Sequence, residues 1–178
     1  NSNPDDTGSI SFDFTQVVRN HPSGDIYIGT GGKGLCRYNI GSGTISRIKF
    51  INKTNESFFG IISDIVCLPD GRLCLLIDEH KLVIVSPETW IIDRVVTLPL
   101  EQWGGIKRMV YFNDKVYVGS SSALYMFHVK DFTLKQIPIP AEYGNIEGLI
   151  SGVGVDQKGI IWIGSTNSGV FLLDPAKL

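Results

Sequence analysis

Residues 25–39 read DIYIGTGGKGLCRYN, and the reading of this stretch decides the fold. An apolar run, Ile26-Tyr27-Ile28, leads into Gly29, Gly31, Gly32 and Gly34, with Lys33 among them. A glycine-rich segment after a strand suits two structures. It cradles phosphate when it runs into a helix, whose N-terminus then faces the anion. It is the turn of a β-hairpin when it runs into a second strand. Here it is followed by LCRYN, a strand-like run, and no Ser or Thr follows Lys33 as a phosphate loop requires. The glycines therefore supply turn geometry and close packing of the backbone.

The stretch recurs. GDIYIGTGGKGLCRYN (24–39) aligns with GRLCLLIDEHKLVIVS (71–86), DKVYVGSSSALYMFH (114–128) and GIIWIGSTNSGVFLLD (159–174). The equivalent positions Gly29, Leu76, Gly119 and Gly164 lie 47, 43 and 45 residues apart, a near-even period that marks a repeat architecture. Where the first copy has its glycines, the others have DEHK, SSSA and STNSG, so no phosphate cradle is repeated. Ahead of each hairpin lies a β-rich run: FTQVVRN (14–20), ISDIVCL (62–68), IKRMVYF (106–112) and ISGVGVD (150–156). Behind the first three lies another: GTISRIKF (43–50), WIIDRVVTL (90–98) and FTLKQIPI (132–139). Each unit thus reads as four short strands joined by turns at Pro22-Ser23-Gly24, Asp70-Gly71, Asn113-Asp114 and Gln157-Lys158-Gly159. No segment has a 3.6-residue period, and helix content is expected to be near zero.

The middle strands of each unit are continuous apolar runs: IYI, LCLLI, VYV and IIWI, then LVIV, LYMF and VFLL. A strand with one wet face alternates apolar and polar residues, so these strands call for cover on both faces. Without helices, the cover must be other copies of the same sheet. Radial repetition of four-stranded antiparallel sheets is an all-β propeller. The expected blades are about 14–50, 62–98, 106–139 and 150–178, within a single propeller segment, residues 1–178, that is expected to be part of a larger propeller. The fourth lacks an outer strand after DPAKL unless residues 8–13 (GSISFD) supply it. Two arrangements follow: a ring of four blades closed through the N-terminal segment, or an open arc whose terminal faces are apolar and favour self-association, for example as a homodimer. Tyr27, Tyr117 and Trp162 occupy equivalent strand positions and are expected to pack between blades.

These units resemble the two-component regulator propeller repeat, with its pattern D-x-x-G-x-[LI]-W-[IV]-G-T, a turn, then G-[LI]-x-x-[YF]. DQKGIIWIGSTNSGVFLLD (156–174) and GDIYIGTGGKGLCRYN (24–39) carry the pattern most fully. VYVGS (116–120) with LYMF (124–127) keeps part of it, and the second unit departs with LLID. The resemblance spans about residues 14–174. It implies a place in the extracytoplasmic or periplasmic sensor region of hybrid histidine kinases and response regulators, including glycan sensors of gut Bacteroidetes. It also implies that this segment senses a ligand without catalysing a reaction. A kinase would belong to the parent protein. The alternative is a protein-interaction scaffold with no small ligand.

Bulk composition agrees with a folded domain and excludes several classes. The 178 residues are 43% hydrophobic and 19% charged, with net charge −2 and no block of like charge. Nucleic-acid or membrane-surface binding would need clustered Lys and Arg. No apolar run approaches the roughly 20 residues of a membrane span, and the opening NSNPDDTGS lacks the apolar core of a signal peptide. Three cysteines, Cys36, Cys67 and Cys74, are too few for a disulfide scaffold. A two-residue Asp70-Gly71 loop would set Cys67 opposite Cys74 at a hydrogen-bonded pair, an awkward geometry for a disulfide, so free thiols are expected.

Catalytic and metal chemistry finds no constellation. His21, His80 and His128 fall in different units and match no H-x-x-x-H or H-E-x-x-H spacing. No cofactor is expected. Asp70, Asp114 and Asp156 recur at the first turn of their units, as Asx residues that stabilise turns. NKTNES (52–57) holds two N-x-[ST] sequons, marks of an exposed loop. Ligand contacts are expected in the longer between-blade loops INKTNESFFG (51–60), PLEQWGG (99–105) and PAEYGNIEG (140–148). There Phe58, Trp103 and Tyr143 accompany Glu56, Gln102 and Asn145, groups suited to stacking on and hydrogen-bonding a carbohydrate or another small ligand. The same aromatics also suit plugging the gaps between blades, and the sequence leaves both readings open.

Overall fold

The computed structural model describes residues 1–3, 5–52, 57–58, 60–99, 108–120, 123–140 and 149–177. The chain forms two units, Asn1–Pro99 and Leu100–Leu178. In the first unit, β1 (Thr15–Asn20), β2 (Ile26–Thr30), β3 (Leu35–Asn39) and β4 (Thr44–Ile48) form one antiparallel sheet in chain order. A short ribbon, β5 (Phe50–Ile51) with β6 (Ser57–Phe58), leads to the next sheet. That sheet consists of β7 (Ile62–Cys67), β8 (Leu73–Ile77), β9 (Lys81–Val85) and β10 (Ile92–Thr97). The second unit has β11 (Arg108–Phe112), β12 (Lys115–Gly119), β13 (Leu124–His128) and β14 (Leu134–Ile137) in one sheet. A three-stranded sheet of β15 (Ile150–Val155), β16 (Ile161–Ser165) and β17 (Gly169–Leu173) follows, then one 3-10 turn at Pro175–Lys177.

The opening stretch is β2, a turn and β3. Thr30 closes that turn: its N–H and its hydroxyl both donate to the Gly34 carbonyl, at 3.0 and 2.8 Å, and its Oγ1 accepts the Lys33 N–H at 3.1 Å. Gly34 has φ +75°, in the region that an L side chain disfavours. The turns after β1, β7 and β15 share another design. Gly24, Gly71 and Gly159 have φ of 91°, 84° and 84°, and each donates its N–H to the residue three before it. At this position a side chain would be strained in all three copies.

Gly29 explains how the first unit's sheets approach each other. A Cβ there would lie 2.7 Å from Ile62 Cγ2 of the facing sheet and 2.7 Å from Val17 Cγ1. The missing side chain is a notch that Ile62 fills. Around it, Tyr27, Leu35, Ile65, Leu73, Leu75, Val83 and Val85 form a buried core. Each such large side chain contributes about 1.5–3 kcal/mol through burial. The second unit repeats the device: a Cβ on Gly119 would meet Ile150 and Val153 side chains at 2.5 Å, within a core of Tyr117, Leu124, Ile161, Ile163 and Leu173. A polar link also joins the first two sheets. Asp64, fully buried on β7, takes Arg19 Nη2 from β1 at 2.8 Å and the Ile65 N–H at 2.9 Å.

Several expectations need correction. Trp162 is 43% exposed, whereas Tyr27 and Tyr117 are 1% and 2% exposed. Its face of the β15–β17 sheet also carries Val170 and Leu172, 60% and 44% exposed, beside Gly152 and Gly154, which have open space where a side chain would be. Trp162 instead hydrogen-bonds through Nε1 to Asp156 Oδ2 at 3.2 Å. Residues 8–13 form no strand. Arg47 draws the N-terminal segment onto the first sheet by donating to the Ser9 and Asp6 carbonyls at 3.1 and 2.8 Å, and the Ser11 N–H points to Cys36 Sγ at 3.2 Å. Cys67 pairs with Leu73 and Cys74 with Val66, because the turn runs from Leu68 to Arg72 and is longer than Asp-Gly alone. All three cysteines are free. Asp156 caps its turn through the Lys158 and Ile160 N–H groups, and Asp70 through that of Arg72. Asp114 differs: with Asn113 it occupies left-handed backbone, φ 61° and 47°, and its carboxylate pairs with Lys130 at 2.5 Å.

Candidate ligand-binding cleft

The first unit holds a cleft of about 420 Å³ where its two sheets meet, within the size range of small-molecule sites. Four chain segments build it. The β1–β2 turn supplies His21, Ser23 and Asp25, and Tyr27 and Arg37 come from β2 and β3. The β7–β8 turn brings Asp70, Gly71 and Arg72, and the β9–β10 turn brings Ser86, Pro87, Glu88 and Trp90. The cleft therefore lies at the ends of the strands opposite the β2–β3 turn.

Its aromatic wall depends on an unusual backbone. The turns after β3, β9 and β13 have one geometry, in which Gly43, Trp90 and Phe132 each donate N–H to the residue four before it. Their φ angles are 67°, 57° and 60°. Glycine adopts this conformation freely, but for a bulky side chain it costs about 1–3 kcal/mol. Trp90 offsets that cost by ring packing: its centroid lies 6.0 Å from Tyr27 in an edge-on contact and 6.3 Å from Phe50. Such pairs contribute about 0.5–1.5 kcal/mol each. The Trp90 carbonyl is fixed too, accepting the Ile51 N–H at 3.1 Å. Tyr27 in turn meets His21 edge-on at 5.4 Å. Burial pushes the Tyr27 phenol up to about 12, so it stays protonated and uncharged.

Two arginines are pinned inside this frame. Arg37 directs Nε and Nη2 at Asp25 Oδ2, at 2.7 and 2.5 Å, and Asp25 is buried. Arg72 holds Asp70 Oδ2 through Nε and Nη2 at 2.9 and 2.7 Å, and reaches Asp93 through Nη1 at 3.3 Å. The Arg72 hydrogen bonds keep the Asp70 carboxyl below its ordinary value. His21 joins the two sheets: its Nε2 lies 3.0 Å from the Gly71 carbonyl, and its Nδ1 is 3.2 Å from the Ser23 N–H. A carbonyl only accepts, so Nε2 carries a proton, while the Ser23 hydroxyl, 2.8 Å from Nδ1, can donate or accept. Among the described residues the exposed Glu88, in the cleft lining, makes no ion pair.

None of these residues was singled out as a binding group in the sequence. The residues that were, Glu56, Gln102, Trp103, Tyr143 and Asn145, lie outside the described residues, as does the Phe58 side chain; only the Phe58 backbone is placed, in β6 opposite Phe50. One sequence signal pointed to the cleft. When the units are aligned on their third strands, Trp90 falls where the first unit has Gly43, a bulky residue at a glycine position. Of the other histidines, His80 has Nδ1 2.6 Å from the Asp78 carbonyl, and His128 lies 3.2 Å from Asp131. Among the described residues no group of His, Cys, Asp and Glu has the arrangement of a metal site.

No family model matches the sequence, and no curated protein matches it. Solved structures do. The chain is similar to the extracellular domain of a hybrid two-component system from B. thetaiotaomicron, with TM-score 0.70 and 18% identity over 98% of this chain and 22% of that one. A second extracellular domain of this kind from the same organism gives TM-score 0.69 and 12% identity, over 93% of this chain and 21% of that one. YCF48, solved bound to D1 peptide, gives TM-score 0.64 and 14% identity, over 89% and 49%. The sheets are β-propeller blades. These identities speak for the fold, and they agree with the kind of sensor propeller that the repeat motif resembles. The chain spans about a fifth of the length of the two-component extracellular domains.

Proposed function

We propose that this chain is a non-catalytic, ligand-sensing propeller segment from the extracytoplasmic sensor domain of a two-component regulator. The observation that carries the reading is fold likeness over 98% of the chain to an extracellular domain of such a system. The repeat motif supports it independently. The cleft between the first two blades gives the segment a place to hold a ligand. Its walls are held rigid before anything binds, which lowers the ordering cost of association. Carbohydrate is the ligand class that the resemblance implies, with periplasmic placement. Ligand capture would alter the packing of neighbouring propeller elements, and a kinase elsewhere in the parent protein would read that change.

The test is thermal unfolding of the chain against a panel of oligosaccharides and other small metabolites. A ligand that binds only the folded state raises Tm in a concentration-dependent way. The expected outcome is stabilisation that Trp90→Ala removes. A panel that leaves Tm unchanged while a protein partner binds would replace this reading with the interaction scaffold. One observation favours that second reading: the exposed face of Trp162, Val170 and Leu172, which suits a partner or a second copy of the chain. Sedimentation of the chain against Trp162→Ser measures whether that face self-associates.

A further inference from the structure

We infer that the cleft between the first two blades takes an organic cation: a primary amine or guanidinium on a short apolar stem. The inference rests on reading this cleft as the ligand site, and it specifies the chemistry. Three carboxylates line the cleft, from Asp25, Asp70 and Glu88, against two guanidiniums, from Arg37 and Arg72. Asp25 is committed to Arg37, and Asp70 to Arg72. Arg72 also reaches Asp93, so neither guanidinium stands without an anion. His21 is occupied on both ring nitrogens, by the Gly71 carbonyl and by Ser23. Among the described residues, the one charge of the lining with no ion pair is the Glu88 carboxylate. An incoming anion would meet only guanidiniums already neutralised, with Glu88 opposing it. An incoming cation meets Glu88 and the electron-rich indole of Trp90.

The rest of the lining fits the stem of such a ligand. Trp90 lies two residues after Glu88, on a turn whose backbone is fixed at both the Trp90 N–H and the Trp90 carbonyl. A cation over an indole gains about 0.5–2 kcal/mol, more as water is excluded. Pro87 offers apolar surface beside it, and the buried Tyr27 ring backs the indole from beneath. Long cationic side chains and amines bury their stems in this way while the charged head keeps a polar contact.

The test follows the indole Nε1–H resonance of Trp90 by NMR, assigned by elimination with Trp103→Phe and Trp162→Phe. The probes are n-butylammonium and n-butylguanidinium, with n-butanol, butyrate and a neutral methyl glycoside as comparisons. The expected result is a saturable shift of Trp90 with the two cations, weakened by added salt. Glu88→Gln should weaken it about tenfold, the weight of one charge-assisted contact. Butanol or butyrate binding as well as butylammonium would overturn the proposal, and so would an unchanged affinity in Glu88→Gln. Saturable binding of the glycoside alone would overturn the cation while leaving the ligand-sensing reading intact. If no probe moves Trp90 and no panel ligand raises Tm, both readings fall.

Discussion

Tyr27 and Trp162 hold the same place in their blades, on the second strand two residues before the notch glycine, yet their surroundings differ. Tyr27 is sealed beneath Trp90, His21 and the facing sheet, at 1% exposure. Trp162 stands on a face with Val170 and Leu172, at 43% exposure. The strand pattern around both is the same uninterrupted apolar run. That pattern states what a strand can bury, whereas the neighbouring sheet decides what it does bury. The notch glycines say the same: Gly29 receives Ile62 and Gly119 receives Ile150, while Gly164 has only Ser151 Oγ and the Gly152 backbone of its own sheet nearby, at 3.5 and 3.7 Å.

Substitutions at paired positions sharpen this contrast. The largest effect is expected for Tyr27→Ala, which empties a packed site and should cost about 3–5 kcal/mol in chemical denaturation. Trp162→Ala should cost about 1 kcal/mol or less. Equal losses at the two sites would show that the Trp162 face is covered in solution. Next come the notches. Gly29→Ala and Gly119→Ala drive a Cβ against branched side chains and should each cost about 1–3 kcal/mol, with the blades forced apart. Gly164→Ala should change stability by about 0.5 kcal/mol or less, and a large loss there would again reveal a hidden neighbour.

The smallest effect is electrostatic. Arg72 lowers the Asp70 carboxyl below its ordinary value of 3.8, so the folded chain takes up that proton less readily than the unfolded chain does. The stabilisation is complete above 3.8 and is lost as pH falls through the lowered folded value. Asp70 is half exposed, so solvent screens the pair and the effect on stability is small. A carbon-13 NMR titration of Asp70 checks the sign: Arg72→Gln should return its midpoint towards 3.8. A midpoint that does not move would mean that the turn amides alone hold the carboxylate.

The repeat was legible because its signals are local. Period, turn glycines and apolar runs lie within one unit, and each corresponds to a strand or a turn that formed. The cleft was not legible, because it joins three turns and strand residues that lie up to about 70 residues apart and are of ordinary types. Asp25, Arg37 and Arg72 carry no signal in their own segments, and Asp70 reads only as a turn residue, until two sheets set them side by side. The His21 link to Gly71 has no signature in either segment alone. Trp162 shows the converse limit, since its sequence matched that of Tyr27 and its burial did not.

The turns Asn39–Gly43, Ser86–Trp90 and His128–Phe132 share one backbone path but end in different residues, and this makes them interchangeable cassettes. Replacing NIGSG by SPETW should carry an indole to the corresponding corner of the first blade without disturbing the strands on either side. The scaffold then behaves as a socket board, on which recognition is rewritten by exchanging five residues at a time.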